Sequence, residues 1–518
     1  MKKIIIGSRG SELALWQANF FQKELKSIGI DSEIKIIKTK GDKIQDLSFD
    51  KIEGKGFFTK EIEDALITKE IDVAVHSHKD LETTEHPLLK ISAVSYREDP
   101  SEIMLINKNA FDVSMPLMVK PNAIIGTSSA RRKTQLLFYR SDIVLKDLRG
   151  NVPTRIQKLK QQQYDAIVLA RAGVNRLKTD LSDFFVIPYD PKVFIPAPAQ
   201  GVLAYQIRKD NQELDLLLQK IHHPEVQQNI SIERAVLKAL HGGCQLPLGV
   251  FCEQKEKNYR VFVSYAPSVE SPLKRFYIYG TSPEELVNKA VKLIRQPQPK
   301  KVLITRRLEG DSAFKKLLQK NQCQIIEKPL IAIEEQPVEN YQTGAEWVFF
   351  TSKNAAKIWL EKQQHVKGVN IACIGKSTAT EFLKKGIHPA FVGNSDDHSQ
   401  IADAFVEYAK GKKVVFPSSD KSKQTIQRFI EKYCKVENLI LYKTVPNPQR
   451  IDENYDIAIF TSPSNVEAFF KMNKLPENVT VIAIGNTTKN KLKEYTDKSV
   501  ITPWEWSELA LADTVLGL

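Results

Sequence analysis

The segment HSHKDL at 76–81 sets a lysine and an aspartate side by side directly after the apolar run IDVAV. Asp80 next to Lys79 is a carboxylate whose ionised form the adjacent cation favours. Such a pair suits a reaction that builds positive charge on a substrate bearing carboxylates. The aspartate faces the growing cation, and the lysine receives an anionic substituent. Ser77 and Asp80 could equally cap a following helix, and spacing alone leaves both readings open. His76 and His78 have no carboxylate or cysteine at ligand spacing, so no metal site is expected.

A second group is rich in arginine. In GTSSARR (126–132), Gly126 permits close approach, Thr127, Ser128 and Ser129 bring hydroxyls, and the helix that should follow exposes backbone N–H groups to an anion. Arg131 and Arg132 add charge-assisted hydrogen bonds. Arg149, Gly150 and Arg155 surround another such junction in LRGNVPTR, and Arg176 closes RAGVNR. Arginine recognises carboxylate or phosphate through a planar fork. Its recurrence at successive junctions points to a cleft for a small, multiply anionic ligand. A solvated basic surface, the plainer alternative, would favour lysine runs.

The third feature is GGCQLPLG at 242–249. Two glycines before Cys244 give access to its sulfur, which suits covalent attachment if cationic neighbours lower its pKa. No His/Asn partner motif accompanies it, so cysteine-protease chemistry is disfavoured. The sulfur as an anchor stays open on these grounds.

The elements that must hold these groups alternate between short apolar runs and amphipathic stretches, an α/β pattern. Strands are expected over 4–6, 32–38, 71–75, 123–125, 143–146, 166–169 and 200–207. Helices are expected over 12–28, 59–69, from about 130, and over 152–162. Helices then dominate 210–240, strands 248–280, and a helix covers 283–295. RQPQPKK at 295–301 reads as an extended linker. Pieces covering 1–297 and 300–518 are expected to fold separately. Beyond the linker, WVFFTSKNAA matches IAIFTSPSNV and IACIGKST matches VIAIGNTT. This internal duplication implies two related α/β lobes.

Composition narrows the class. The 518 residues are 42% hydrophobic and 26% charged, which excludes disordered and collagen-like chains. No run approaches the roughly 18 apolar residues of a membrane span, and the apolar run at the N-terminus is too short for a signal peptide. Five scattered cysteines suggest neither a disulfide framework nor a zinc site, which places the chain in a reducing cytoplasm. The net charge is +13, and residues 101–200 hold 15 basic against 8 acidic side chains. Without stacking aromatics or a groove-entering motif, nucleic acid is not the expected partner.

The segments GSRGSELALWQ (7–17), GKGFFTKEIEDAL (54–66), DVAVHSHKDL (72–81), REDP (97–100), IGTSSARR (125–132), LRGNVPTR (148–155), PAPAQG (196–201) and GGCQLPLG (242–249) follow one another as in the porphobilinogen deaminases, or hydroxymethylbilane synthases. Residues 3–295 resemble that family. The duplicated second half is similar to uroporphyrinogen-III synthases. Together they resemble a fusion of two consecutive enzymes of tetrapyrrole synthesis.

The resemblance implies a deaminase of two lobes like periplasmic binding proteins, 1–102 with 200–214 and 103–199. A small α+β cofactor-attachment domain, 215–294, and the linker 295–301 follow. The implied two-lobe α/β synthase has one lobe of 301–336 with 460–518 and another of 337–459. Cys244 would carry a dipyrromethane cofactor through a thioether, and Asp80 would be the catalytic carboxylate. Ser77, Lys79, Thr127, Ser128, Ser129, Arg131, Arg132, Arg149 and Gly150 would hold the cofactor. Arg9, Ser11, Gln17, Lys55, Phe58, Arg155, Arg176 and Gln200 would meet substrate. In the synthase half Thr351, Ser352, Ser462, Ser464, Thr487 and Thr488 are candidate contacts, although helix capping explains them equally well. His78, Glu12 and Ala199 depart from the family pattern, where an apolar residue, a proline and a glycine are usual. The implied substrates are porphobilinogen and hydroxymethylbilane, and the implied state is a monomer. A deaminase with an inactive second half and an anionic-solute receptor are the competing readings.

Overall fold

A computed structural model describes residues 3–39, 59–84, 86–243, 245–337, 344–362, 368–395 and 397–518. The chain forms two compact units, Met1–Lys300 with Glu309–Ile325 and Pro503–Leu518, and Lys301–Leu308 with Ile326–Thr502.

In the first unit, Ser32–Ile36, Ile4–Ser8, Val73–Ser77, Leu203–Arg208 and Leu89–Val94 form one five-stranded sheet in that order. Val73–Ser77 runs parallel to Ile4–Ser8, and Leu203–Arg208 returns antiparallel between it and Leu89–Val94. Helix Glu12–Ser27 buries Gln17, Ala18, Phe21 and Leu25, the one-sided spacing of an amphipathic helix on a sheet. A second sheet runs Val144–Lys146, Ile124–Gly126, Ala166–Ala170, Glu102–Asn107, Phe184–Tyr189. The chain thus leaves the first sheet after residue 94 and re-enters it at 203, so two crossing segments join two α/β lobes. Phe184–Tyr189 is a strand the sequence pattern does not suggest, because it contains Pro188. It lies at the edge of its sheet, where a missing N–H is tolerated.

The third part of this unit is an antiparallel sheet of Leu248–Lys255, Asn258–Tyr265 and Lys274–Gly280. Helices Pro224–Ala239 and Pro283–Arg295 supply Ile232, Val236, Leu286 and Ala290 to its core. Helices Ala313–Lys320 and Glu508–Leu516 belong to the same compact unit. A cut at the linker would take both helices from the first unit, which counts against the expectation that pieces 1–297 and 300–518 fold separately.

The second unit carries two sheets. One is ordered Gln324–Glu327, Lys301–Ile304, Ile457–Phe460, Thr480–Ala483, Val500–Ile501. The other is ordered Ile331–Glu335, Lys435–Pro446, Lys413–Ser419, Trp347–Phe350, Asn370–Cys373, Phe391–Val392. The lobe boundaries expected at 336/337 and 459/460 are displaced. Ile331–Glu335 pairs antiparallel with Lys435–Pro446 in the second sheet, and Ile457–Phe460 pairs with Lys301–Ile304 in the first. Hydrogen-bonded pairing, rather than the sequence repeat, sets where each lobe ends. The repeats themselves fold alike: Gly375 (φ −172°, ψ 177°) and Gly485 (φ −167°, ψ 176°) each precede a helix with nearly identical backbone.

Candidate functional site

Strand Val73–Ser77 is buried along its apolar run and ends at Ser77. The chain then turns through the short 3₁₀ helix His78–Asp80. His78 N donates to Val202 O at 2.9 Å, and Arg234 donates to the carbonyls of His78 (3.1 Å), Leu81 (3.3 Å) and Glu82 (2.5 Å). So held, the turn leaves Asp80 exposed and Lys79 half-buried. Ser77 makes no capping bond; its hydroxyl accepts from Gln17 Nε2 at 2.9 Å, which decides against the cap reading for that serine. Lys79 Nζ donates to Gln200 Oε1 at 3.1 Å, and Gln200 Nε2 donates to Pro100 O at 2.8 Å. Burial pushes the Lys79 ammonium's pKa down, and the adjacent Asp80 carboxylate opposes it. Ser11 caps helix Glu12–Ser27 by accepting from Ala14 N at 3.3 Å, and the charge of Arg9 is felt at His76.

The second lobe answers with cations. Burial pulls the pKa of Arg155 down to about 10; Arg132 and Arg149 act in the same direction and Asp80 in the opposite one. Those four side chains therefore share one electrostatic environment, across the two lobes of the unit. Arg155 Nε donates to Gly150 O at 2.8 Å. Gly150 has φ +101°, and a Cβ there would lie 2.6 Å from Thr154 Cγ2, so the turn requires glycine.

Sequence reasoning missed the group that organises Arg131 and Arg132. Glu102, fully buried, takes Arg131 on Oε1 at 2.6 Å and Arg132 on Oε2 at 2.8 Å. Burial alone would raise its pKa, but the guanidiniums of Arg132 and Arg131 hold it at about 2. Arg131 also donates to Ile195 O at 3.0 Å and Arg132 to Val168 O at 2.9 Å. The only signal in the sequence was an acidic residue opening the apolar strand EIMLIN. The three hydroxyls also divide. Ser128 both donates to Leu148 O at 2.9 Å and accepts from Leu148 N at 3.0 Å. Thr127 is buried and accepts from Ser129 N at 3.3 Å. Ser129 precedes helix Ala130–Tyr139 without a side-chain capping bond, so its hydroxyl is available to a ligand. Arg176 lies apart from the Asp80 cluster in its bonding: it donates to Gly201 O at 2.7 Å and stacks 5.6 Å over Trp16.

Cys244, Lys55 and Phe58 lie outside the described residues. The described cysteines are all buried. Burial pushes the thiols of Cys252, Cys323, Cys373 and Cys434 up, Cys373 to about 12, which disfavours the reactive thiolate.

Residues 4–215 match the family model described as porphobilinogen deaminase, dipyromethane cofactor binding domain. The chain is 44% identical over 261 residues to the porphobilinogen deaminase of Clostridium novyi, spanning 49% of this chain and 85% of that one. It is 41% identical over 300 residues to the enzyme of that name from Bacillus cereus strain B4264, spanning 57% and 96%. The chain belongs to the porphobilinogen deaminase family. Residues 312–513 match the model for uroporphyrinogen-III synthase HemD, so a synthase domain follows the deaminase. The solved uroporphyrinogen-III synthetase of Helicobacter pylori is 19% identical, covering 41% of this chain and 97% of that one at a TM-score of 0.32, too slight a likeness to add weight.

The deaminase family carries a dipyrromethane cofactor, and the donor set here fits a group bearing carboxylates. Arg132 Nε and Arg176 Nε are buried without a hydrogen-bond partner, and Ser129 offers a hydroxyl beside a helix N-terminus. In the synthase domain, the candidates divide. Ser352 accepts from Ala355 N at 3.4 Å and meets Tyr442 Oη at 3.0 Å, and Ser462 accepts from Asn465 N at 3.2 Å, so both cap helices. Thr488 is buried in its helix, Thr487 is exposed, and Thr351 and Ser464 are half-buried.

Proposed function

We propose that this chain condenses four porphobilinogen molecules with loss of ammonia to hydroxymethylbilane, and then cyclises that product to uroporphyrinogen III. The observation that carries the first step is Asp80, exposed at the end of a central strand and electrostatically coupled to Arg155 in the opposite lobe. When ammonia leaves porphobilinogen, positive charge develops on the pyrrole. Asp80 stabilises that charge, and the acetate and propionate groups fall to Ser129, Arg132, Arg149 and Arg155. Lys79, fixed by Gln200, places a further cation beside the carboxylate. The dipyrromethane, which we assign to Cys244, supplies a covalently held primer with carboxylate substituents for the cations to grip. Four ammonias are lost as four units join, and water releases the linear tetrapyrrole.

The synthase domain acts by holding the linear product in one folded conformation, so that ring closure inverts the last pyrrole. Helix N-termini preceded by Thr351–Ser352 and Thr461–Ser462 offer N–H groups for its carboxylates. We place the chain in the cytoplasm, acting as a monomer on small molecules; no helix among the described residues is long and apolar enough to cross a membrane.

Feeding porphobilinogen to the full chain tests both steps. The type III ring is expected. Type I alone would leave only the deaminase, and unconsumed substrate would refute the reading. Intact mass should show a two-pyrrole adduct that Cys244→Ala removes and Cys252→Ala keeps; an adduct on another cysteine would refute the anchor.

A further inference from the structure

Helix Glu508–Leu516 reads ELALADTVL; after the acid that opens it, the apolar run is interrupted by a second carboxylate, Asp513, and that one is buried. A charge so placed is costly unless paired. Its partner is Arg275, fully buried on strand Lys274–Gly280, with Nε 2.7 Å from Asp513 Oδ1 and a second nitrogen 2.9 Å from Oδ2. Two further donors of the same guanidinium go to Val193 O at 2.7 Å and Lys192 O at 2.8 Å. Three separate pieces of the deaminase unit therefore meet at one side chain: the last helix, the cofactor-attachment sheet and the end of the second lobe.

The helix is closely fitted to that sheet. A Cβ on Gly517 would fall 2.0 Å from Tyr277 O, and Trp504 meets Phe262 edge-on at 5.3 Å. Ser312 Oγ donates to Glu508 Oε2 at 2.6 Å, joining the helix to Ala313–Lys320. Two residues beyond the carbonyls held by Arg275, Ile195 O receives Arg131 at 3.0 Å and Gln135 at 2.9 Å. Arg131 in turn shares Glu102 with Arg132. Charge-assisted bonds thus fasten segment 192–195 at both ends, to Asp513 through Arg275 and to Glu102 through Arg131, the carboxylate that also holds Arg132.

We propose that Asp513, although it lies within the span matched by the synthase model, is a positioning residue for the deaminase. By completing the coordination of Arg275 it fixes segment 192–195, and with it the placement of Arg131 and Arg132 relative to the cofactor-attachment domain. The proposal rests on the deaminase reading above. It makes the two enzymes of this chain interdependent: the first requires the last helix of the second.

The test uses the full chain with Asp513→Asn and the double variant Arg275→Met/Asp513→Leu. Asp513→Asn leaves Arg275 buried without its counter-charge. It should lower the calorimetric melting temperature of the deaminase unit by about 5 °C or more and raise the KM for porphobilinogen several-fold. The double variant removes both charges, so it should recover most of the melting temperature. It should keep the raised KM, because segment 192–195 has still lost its anchor. Wild-type KM in both variants would overturn the positioning role, as would an unchanged melting temperature in Asp513→Asn. Melting is read without turnover, so a chain inactive before substitution would count against the proposed function and leave this measurement standing.

Discussion

Arg97 and Glu233 form a bidentate pair, with nitrogen–oxygen distances of 2.7 and 3.2 Å, across 136 residues of sequence. The same fully buried carboxylate accepts Ala199 N at 2.7 Å and Cys252 N at 2.8 Å. Arg97 lies on the outgoing crossing segment between the lobes, Ala199 on the returning one, and Cys252 in the three-stranded antiparallel sheet. One side chain on helix Pro224–Ala239 therefore fastens all three parts of the deaminase together.

Glu233→Gln should consequently destabilise the deaminase strongly. Breaking a buried pair by removing one charge costs about 3–5 kcal/mol, because the other charge stays buried. The urea concentration that halves deaminase activity should fall well below that of the parent chain. An unchanged midpoint would show that the carboxylate does not hold the three parts.

The buried histidines predict an acid limit to stability. Burial pulls His76 down to about 4, helped by Arg9 and opposed by its bond to Gln206. Burial and then Arg234 pull His78 down to about 3. Both are neutral in the fold, whereas the unfolded chain protonates them near pH 6.5. Below that pH the unfolded state binds protons that the folded state refuses, so stability falls as pH falls. The loss continues to about pH 4 for His76 and about pH 3 for His78. The two together approach about 2.7 kcal/mol per pH unit. His78→Leu should roughly halve that slope between pH 6 and 4, measured as urea midpoints; an equal slope would contradict it.

Much of this was legible in the sequence because it depends on local pattern. Strand-end placement of Lys79 and Asp80, the junction at GNVPT and the paired strand–helix repeats all follow from neighbouring residues. What was not legible depends on partners far away in the chain. Glu102 and Glu233 look like ordinary acids until folding brings Arg131, Arg132 and Arg97 to them. Asp513 looks like a surface residue of the synthase until Arg275 is beside it. Ala199 shows the limit from the other side: its departure from glycine was visible, but its φ of +61° explains why glycine is usual there.

The adjacent serines of the 126–132 turn should separate cleanly. Ser128→Ala removes both bonds to Leu148 and should cost roughly 1–3 kcal/mol of stability, at about 0.5–1.5 kcal/mol for each bond. Ser129→Ala removes no capping bond, so melting should hardly move while the KM for porphobilinogen rises. Exchange of the two phenotypes would mean that Ser128, not Ser129, meets the ligand.

Asp80→Asn is the most direct test of the chemistry. The side chain is exposed at the end of a turn already held by Arg234 and Val202, so the substitution should leave melting and urea midpoints near those of the parent. Asparagine retains the size and much of the hydrogen bonding but cannot balance a cation. Turnover of porphobilinogen should therefore fall on the order of 10²-fold or more, within the range seen when an acid–base group is lost. Intact mass should still show the two-pyrrole adduct, since the attachment proposed for Cys244 needs sulfur rather than this carboxylate. Near-parental turnover in a folded, adduct-bearing Asp80→Asn chain would remove Asp80 from the reaction, and Glu102, neutralised by its two arginines, could not take its place.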